Sequence, residues 1–208
     1  MKLAGLVGLV ALVAVSSARA DFAPVDSAPP PPPRVTVISD SVAATLLWHP
    51  DARDYLAEGL DLRLQTLACR RLVVPGCPVA GVRPPSALET IQALGSDLGP
   101  VVVVDLGYND LPDEYGSGID PVMQALVDAH VRHVVWVTLA EHEDVWVQNN
   151  ALIHAAATRW PELIVADWAP LAAQHPEWFS DLAHLNEDGA WGFARFLRPI
   201  LLAALPSA

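Results

Sequence analysis

Apolar runs without in/out alternation, helical segments between them, and a regular alternation of the two predict an α/β fold. The expected architecture is a three-layer α/β/α sandwich around a five-stranded parallel sheet. Residues 35–38, 101–106, 133–138 and Leu163–Ala166 are runs rich in Val, Ile and Leu, which reads as strands covered on both faces by helices. A weaker strand is expected over residues 64–68. Helices are expected over residues 52–60, 86–94, 121–129, 147–159 and 188–202, where apolar positions recur at helical spacing. Strands that alternate with helices join by right-handed crossovers, so the strands are expected to run parallel. No internal repeat is visible.

The N-terminal region reads differently from the rest. Lys2, an apolar stretch over residues 3–15 and the small-x-small sequence Ala18-Arg19-Ala20 predict a signal peptide over residues 1–20, cut after Ala20. The apolar run is shorter than the roughly 20 residues a membrane span needs, so no integral span is expected in the mature chain. Residues 21–33 hold Pro24 and five consecutive prolines from Pro29 to Pro33, which predicts an extended linker. Residues 34–208 then form one domain, and a secreted, extracellular location is expected.

Composition excludes several chemistries. Lys2 is the only lysine, so the processed chain can hold no Schiff-base lysine, Ser-Lys dyad or phosphate-binding P-loop. The formal charge of −12 at pH 7 repels nucleic acid and anionic lipid, and loss of Lys2 and Arg19 would deepen it to −14. A neutral or cationic substrate fits that surface better than a polyanion, although net charge does not describe a cleft. Cys69 and Cys77 are the only cysteines, and a secreted context predicts a disulfide between them.

Three short segments carry chemistry. Ser39-Asp40-Ser41 follows the first strand, Gly107-Tyr108-Asn109-Asp110 follows the third, and Asp181-Leu182-Ala183-His184 precedes the last helix. In an open parallel sheet, ligands bind beyond the carboxyl ends of the strands, which is where the first two segments fall. Together they resemble the SGNH (GDSL-type) hydrolases, whose motifs read Gly-Asp-Ser, Gly-x-Asn-Asp and Asp-x-x-His. The first motif departs from the family, with Ser39 in place of glycine. The resemblance runs from about Arg34 to Leu202 and implies a flavodoxin-like SGNH hydrolase fold and a secreted serine esterase acting on a small-molecule or glycan ester. It implies Ser41 as nucleophile, His184 as base and Asp181 as its orienter. It also assigns an oxyanion hole to the Ser41 N–H, the Gly81 N–H and the Asn109 amide, with Gly76 the rival to Gly81.

The chemistry fits those residue types. A serine hydroxyl must pass its proton to a base as it attacks, and an imidazole is available in neutral form near pH 7. A carboxylate on the other ring nitrogen fixes the tautomer and stabilises the imidazolium. Each residue also has a plainer role open to it: Asp181 and His184 as caps of the last helix, Asn109 as a turn residue. Acyl transfer to a carbohydrate hydroxyl uses the same triad, and a catalytically silent envelope-binding domain would keep the same fold. Ser41 is not set in Gly-x-Ser-x-Gly, which disfavours an α/β-hydrolase.

No cofactor or metal is expected. His142-Glu143 begins like a zinc-protease helix, but Trp146 stands where the second histidine is required. Among seven tryptophans, Trp146 and Trp178 are expected to flank the cleft and bind substrate, with core packing an equal alternative. Residues 140–146 form a candidate substrate loop.

Overall fold

A computed structural model describes residues 30–205, so the expected signal peptide and most of the linker lie outside the described residues. Five strands form one parallel sheet: β1 (Arg34–Ser39), β2 (Asp61–Thr66), β3 (Val101–Asp105), β4 (His133–Val137) and β5 (Leu163–Ala166). Their order across the sheet is β2-β1-β3-β4-β5, and every neighbouring pair runs parallel. The chain leaves β1 toward one edge and later returns past it to β3, so the connections diverge between those two strands. A crevice opens at such a point, beyond the strands' carboxyl ends.

The absence of in/out alternation in the strands has a direct cause. Val101 and Val103 face one apolar layer with Val35, Val37, Val135 and Val137, while Val102 and Val104 face the other with Ile38, Val134 and Trp136. Both sides of the pleat are dry, so both parities must be apolar. On the first side lie α1 (Thr45–Trp48), α2 (Pro50–Ala57) and α7 (Glu187–Ala204), which contribute Leu46, Leu56, Phe193, Leu197 and Leu201. On the second lie α3 (Ala87–Leu94), α4 (Pro112–Asp128) and α5 (Asp144–Ala157), with Ile91, Ile119, Met123 and Ile153. A four-residue helix, α6 (Ala169–Ala172), follows β5. Tyr115 ties α4 to the sheet, donating its hydroxyl to Leu106 O at 2.7 Å and accepting from Trp136 Nε1 at 2.8 Å. No described helix is long and apolar enough to cross a membrane.

Several boundaries differ from those expected. β2 begins at Asp61 rather than Leu64, because it is an edge strand whose exposed Arg63 breaks the apolar signal. α4 begins at Pro112, not Pro121; Pro112 occupies the first turn, where a missing N–H costs nothing, and Pro121 sits inside the helix. Pro199 is likewise inside α7. α5 starts at Asp144 instead of Val147, so the expected loop 140–146 is partly helical. α3 starts where a capping box places it: Ser86 accepts from Glu89 N, and the Glu89 carboxylate accepts from Ser86 N.

Cys69 and Cys77 are joined by a disulfide, with their Cα atoms 5.5 Å apart. Closing a loop this short contributes ~2–3 kcal/mol in the chain-entropy model. The double variant Cys69→Ser/Cys77→Ser is therefore expected to lose about that much unfolding free energy in urea titrations, against wild type under non-reducing conditions. An unchanged midpoint would mean that the loop is held by its other contacts alone.

Candidate active site

Ser39 ends β1 and is fully buried. Its hydroxyl accepts from Ala43 N at 3.2 Å and donates to Asp105 Oδ2 at 3.1 Å, so the serine that stands where the resembled motif has glycine braces the turn. Asp40 follows, also buried, with Oδ1 accepting from Val42 N at 2.9 Å and Oδ2 accepting from Asn109 Nδ2 at 2.9 Å. These contacts turn the chain sharply and present Ser41 above the sheet.

His184 reaches the same place from the far end of the sequence. Its Nε2 lies 2.8 Å from Ser41 Oγ, and its Nδ1 lies 2.8 Å from Asp181 Oδ2. The local turn makes this possible: Asp181 Oδ1 accepts from the backbone N–H groups of Ala183 and His184, both at 2.8 Å, while Ser180 N donates to His184 O at 2.7 Å. The His184 and Ala183 amides, followed by the imidazole, hold the Asp181 carboxyl down at about 2. It stays ionised at any pH where the imidazole could act. Directly after it, Asn186 caps α7 by accepting from Gly189 N at 3.0 Å.

Asn109 follows β3 through Gly107, whose φ of +133° and closeness to Leu139 Cδ1 and the Tyr115 ring exclude a side chain. Besides the bond to Asp40, the Asn109 amide makes a long 3.4 Å contact to Arg70 O. Asn149 from α5 holds this loop, donating to Gly107 O at 3.0 Å and Asp110 O at 3.2 Å. Asp110 Oδ1 accepts from Leu72 N at 3.0 Å, which ties this loop to the cysteine loop.

The two glycines considered for the oxyanion hole lie apart. Gly81 is at the exposed tip of the turn closed by Val79 and Val82, and the space where its side chain would be is open. Gly76 is buried and lines a cleft together with Asn109, but its missing side chain makes room for Cys69 O. The two tryptophans expected at the cleft differ in burial, Trp146 being buried and Trp178 half-buried. Trp146 is 8% exposed, packs edge-on against Tyr108 and donates to Tyr108 O at 3.3 Å. Trp178 is sandwiched between His175, with centroids 3.8 Å apart, and Trp168, at 5.9 Å, and it covers Gly192 of α7.

Two contributors were not foreseen from sequence. Arg70 is 1% exposed and its guanidinium binds Ser39 O, Gln65 O and Pro85 O, locking the ends of β1 and β2 to the approach to α3. Its signal was faint, because one arginine beside a cysteine matches no motif. His142 Nδ1 donates to Leu182 O at 2.6 Å, so the segment before α5 supports the turn that carries His184. Among the described residues, no group of three or more His, Cys, Asp or Glu side chains could hold a metal ion.

Carboxylates are concentrated under the site. Burial, then the neighbouring Asp105 charge, pushes Asp40 well above the usual carboxylate range. Burial raises Asp105 to about 7, opposed by the Ser39 hydroxyl, and raises Asp110 to about 6.

No family sequence model matches the chain, and no curated protein sequence matches it. Solved structures do. The chain is similar to the psychrotrophic esterase EstA from Pseudoalteromonas sp., inhibited by monoethylphosphonate, at TM-score 0.57 and 14% identity, covering 82% of this chain and 95% of that one. It is similar to a carbohydrate acetylesterase family member from Sinorhizobium meliloti at TM-score 0.59 and 15% identity, covering 83% and 99%. It is also similar to the salicylyl-acyltransferase SsfX3 of a tetracycline biosynthetic pathway at TM-score 0.58 and 15% identity, covering 88% of this chain and 58% of that one.

The buried acids predict an unusual pH profile. Between about pH 4 and 7 the folded chain keeps a proton on Asp105 that the unfolded chain has released, so stability falls as pH rises through that window. Asp181 works oppositely, contributing stability above about pH 4 that is lost as pH falls toward 2. Asp105→Asn is expected to flatten the decline, which is on the order of a few kcal/mol, in urea unfolding at pH 5 and pH 8. A wild-type chain equally stable at both pH values would contradict it.

From the strand order, the all-parallel sheet and these likenesses, the chain has the α/β/α fold of the SGNH-type esterases that the sequence motifs resemble.

Proposed function

We propose that the chain is a secreted serine ester hydrolase that works through an acyl-enzyme on Ser41. The observation that carries this reading is the continuous chain of hydrogen bonds from Ser41 Oγ to His184 Nε2 and from His184 Nδ1 to Asp181 Oδ2, each 2.8 Å. Ser41 Oγ attacks the ester carbonyl carbon as its proton passes to His184 Nε2. The tetrahedral intermediate collapses, the carbon–oxygen bond to the alcohol breaks, and the leaving alkoxide takes the proton from Nε2. Water then repeats the sequence on the acyl-enzyme and releases the carboxylic acid. Asp181 remains ionised throughout and holds the imidazole in the tautomer with its proton on Nδ1.

The oxyanion is stabilised by the Ser41 N–H and the Asn109 amide. Asp40 fixes one Asn109 N–H, and the other, now in the long contact to Arg70 O, is the donor offered to the developing charge. No role in the hole is given to Gly81, whose exposed turn gives no support for one. Acyl transfer to a carbohydrate or other hydroxyl requires only that an alcohol replace water in the second step. The likeness to a salicylyl-acyltransferase keeps that variant open to test. Burial of Trp146 against Tyr108 weakens the aromatic rim that motivated a silent binding domain. The expected signal peptide and the Cys69–Cys77 disulfide support export.

With p-nitrophenyl acetate and butyrate, Ser41→Ala is expected to lower kcat at least ~10³-fold, and Asn109→Ala ~10²–10³-fold, the effect of losing one oxyanion donor. A fluorophosphonate should label Ser41 in the wild type and leave His184→Ala unlabelled. A folded wild-type protein that neither labels nor turns over either ester would sink the proposal.

A further inference from the structure

Beside Asn109 a cleft of about 450 Å³ is lined by Cys69, Arg71, Pro75, Gly76, Cys77, Pro78 and Arg83. That volume lies in the range of small-ligand sites. Its wall is the disulfide-closed loop and the segment after it: the loop is anchored to the site by Leu72 N donating to Asp110 Oδ1 and Arg70 O meeting the Asn109 amide, and Arg83 ties the following segment to the loop through Gly76 O. Among the lining side chains, the prolines and the disulfide supply no strong donor, so the strong side-chain donors are the two guanidinium groups and the Asn109 amide.

The two arginines differ in charge balance. Arg71 is paired with Glu114 and lies 3.8 Å from Asp110 Oδ1, so its charge is largely answered by its own neighbours. Arg83 is exposed and makes a single bond, from Nη1 to Gly76 O at 2.9 Å, with no carboxylate within 4.0 Å among the described residues. In a chain with 24 acidic and 12 basic side chains of Arg and Lys type, a guanidinium left uncompensated on a cleft wall runs against the overall charge. The Arg83–Gly76 bond also orients the group, leaving its remaining N–H donors free for a planar bidentate acceptor.

We infer that this cleft holds a carboxylate carried by the ester substrate, bound by Arg83. The inference rests on the ester-hydrolase reading and narrows it to esters bearing an acidic group. The expected preference for neutral or cationic substrates, which came from net charge, is reversed inside the cleft. The carboxylate can belong to the acyl half or to the alcohol half of the ester, since the cleft shares only Asn109 with the reacting centre.

Two matched pairs separate the halves: monophenyl succinate against phenyl butyrate for the acyl side, and 4-acetoxybenzoate against phenyl acetate for the alcohol side. In one pair, the charged-to-neutral ratio of kcat/KM should fall tenfold or more in Arg83→Gln and less in Arg83→Lys. Arg132→Gln, at the opposite end of the sheet, should leave the ratio as in wild type. A second readout does not need turnover: calorimetric titration with the uncleavable amides N-phenylsuccinamate and 4-acetamidobenzoate. One of them should bind at least tenfold more tightly than its uncharged counterpart, N-phenylbutanamide or acetanilide, and lose that margin in Arg83→Gln. Ratios and affinities unchanged by Arg83→Gln would overturn the inference even if neutral esters are hydrolysed. Binding through Arg83 without hydrolysis of any ester would instead overturn the ester-hydrolase reading and leave the carboxylate site standing.

Discussion

The site is organised around one buried carboxyl group. Asp40 accepts from its own loop at Val42 N and from Asn109 across the crevice, and so fixes the loop after β1 to the loop after β3. Those loops come from adjacent strands, and the divergence of the chain between them opens the space they flank. A carboxyl group without solvent needs a hydrogen-bond partner on each oxygen, and Asp40 has one on each. Ser41 and Asn109 are thus placed by a shared partner rather than by separate local turns.

Much of this was legible in the sequence, for reasons visible in particular residues. Val101 to Val104 read as a buried strand because both parities are apolar, and the two cores on either side account for it. The pairing of Ser41 with His184 was legible only through the motifs, since 143 positions separate them and no periodicity reports such a contact. Helix starts were harder. Pro121 reads as a beginning, yet α4 absorbs it because one lost hydrogen bond is outweighed by burial of Tyr115 and Ile119 ahead of it. The glycine positions were the least legible. Gly76 and Gly81 are alike as letters, and only packing distinguishes a glycine pressed on a carbonyl from one at an open turn.

The segment between β2 and α3 contributes more than a connection. Arg70 gathers three carbonyls, two from the ends of strands and one from a proline, and a guanidinium can do so because its donors radiate in a plane. Burial lowers its pKa to about 10, still far above neutrality, so it keeps its charge beside Asp40. Together with the disulfide, it makes a long, irregular, proline-rich stretch into a wall for the cleft.

Gly192 lies within α7, where glycine costs roughly 1 kcal/mol of helix propensity relative to alanine. Its use is clear from Trp178, whose ring lies so close that any Cβ there would collide with it at 2.5 Å. Trp178 O in turn accepts from Asn186 N, two residues beyond His184. The imidazole's footing therefore belongs to α7 and its aromatic neighbour rather than to the sheet. A local opening that peels this helix away would carry the base out of register while the five strands stay paired, so that heat inactivation runs ahead of global melting.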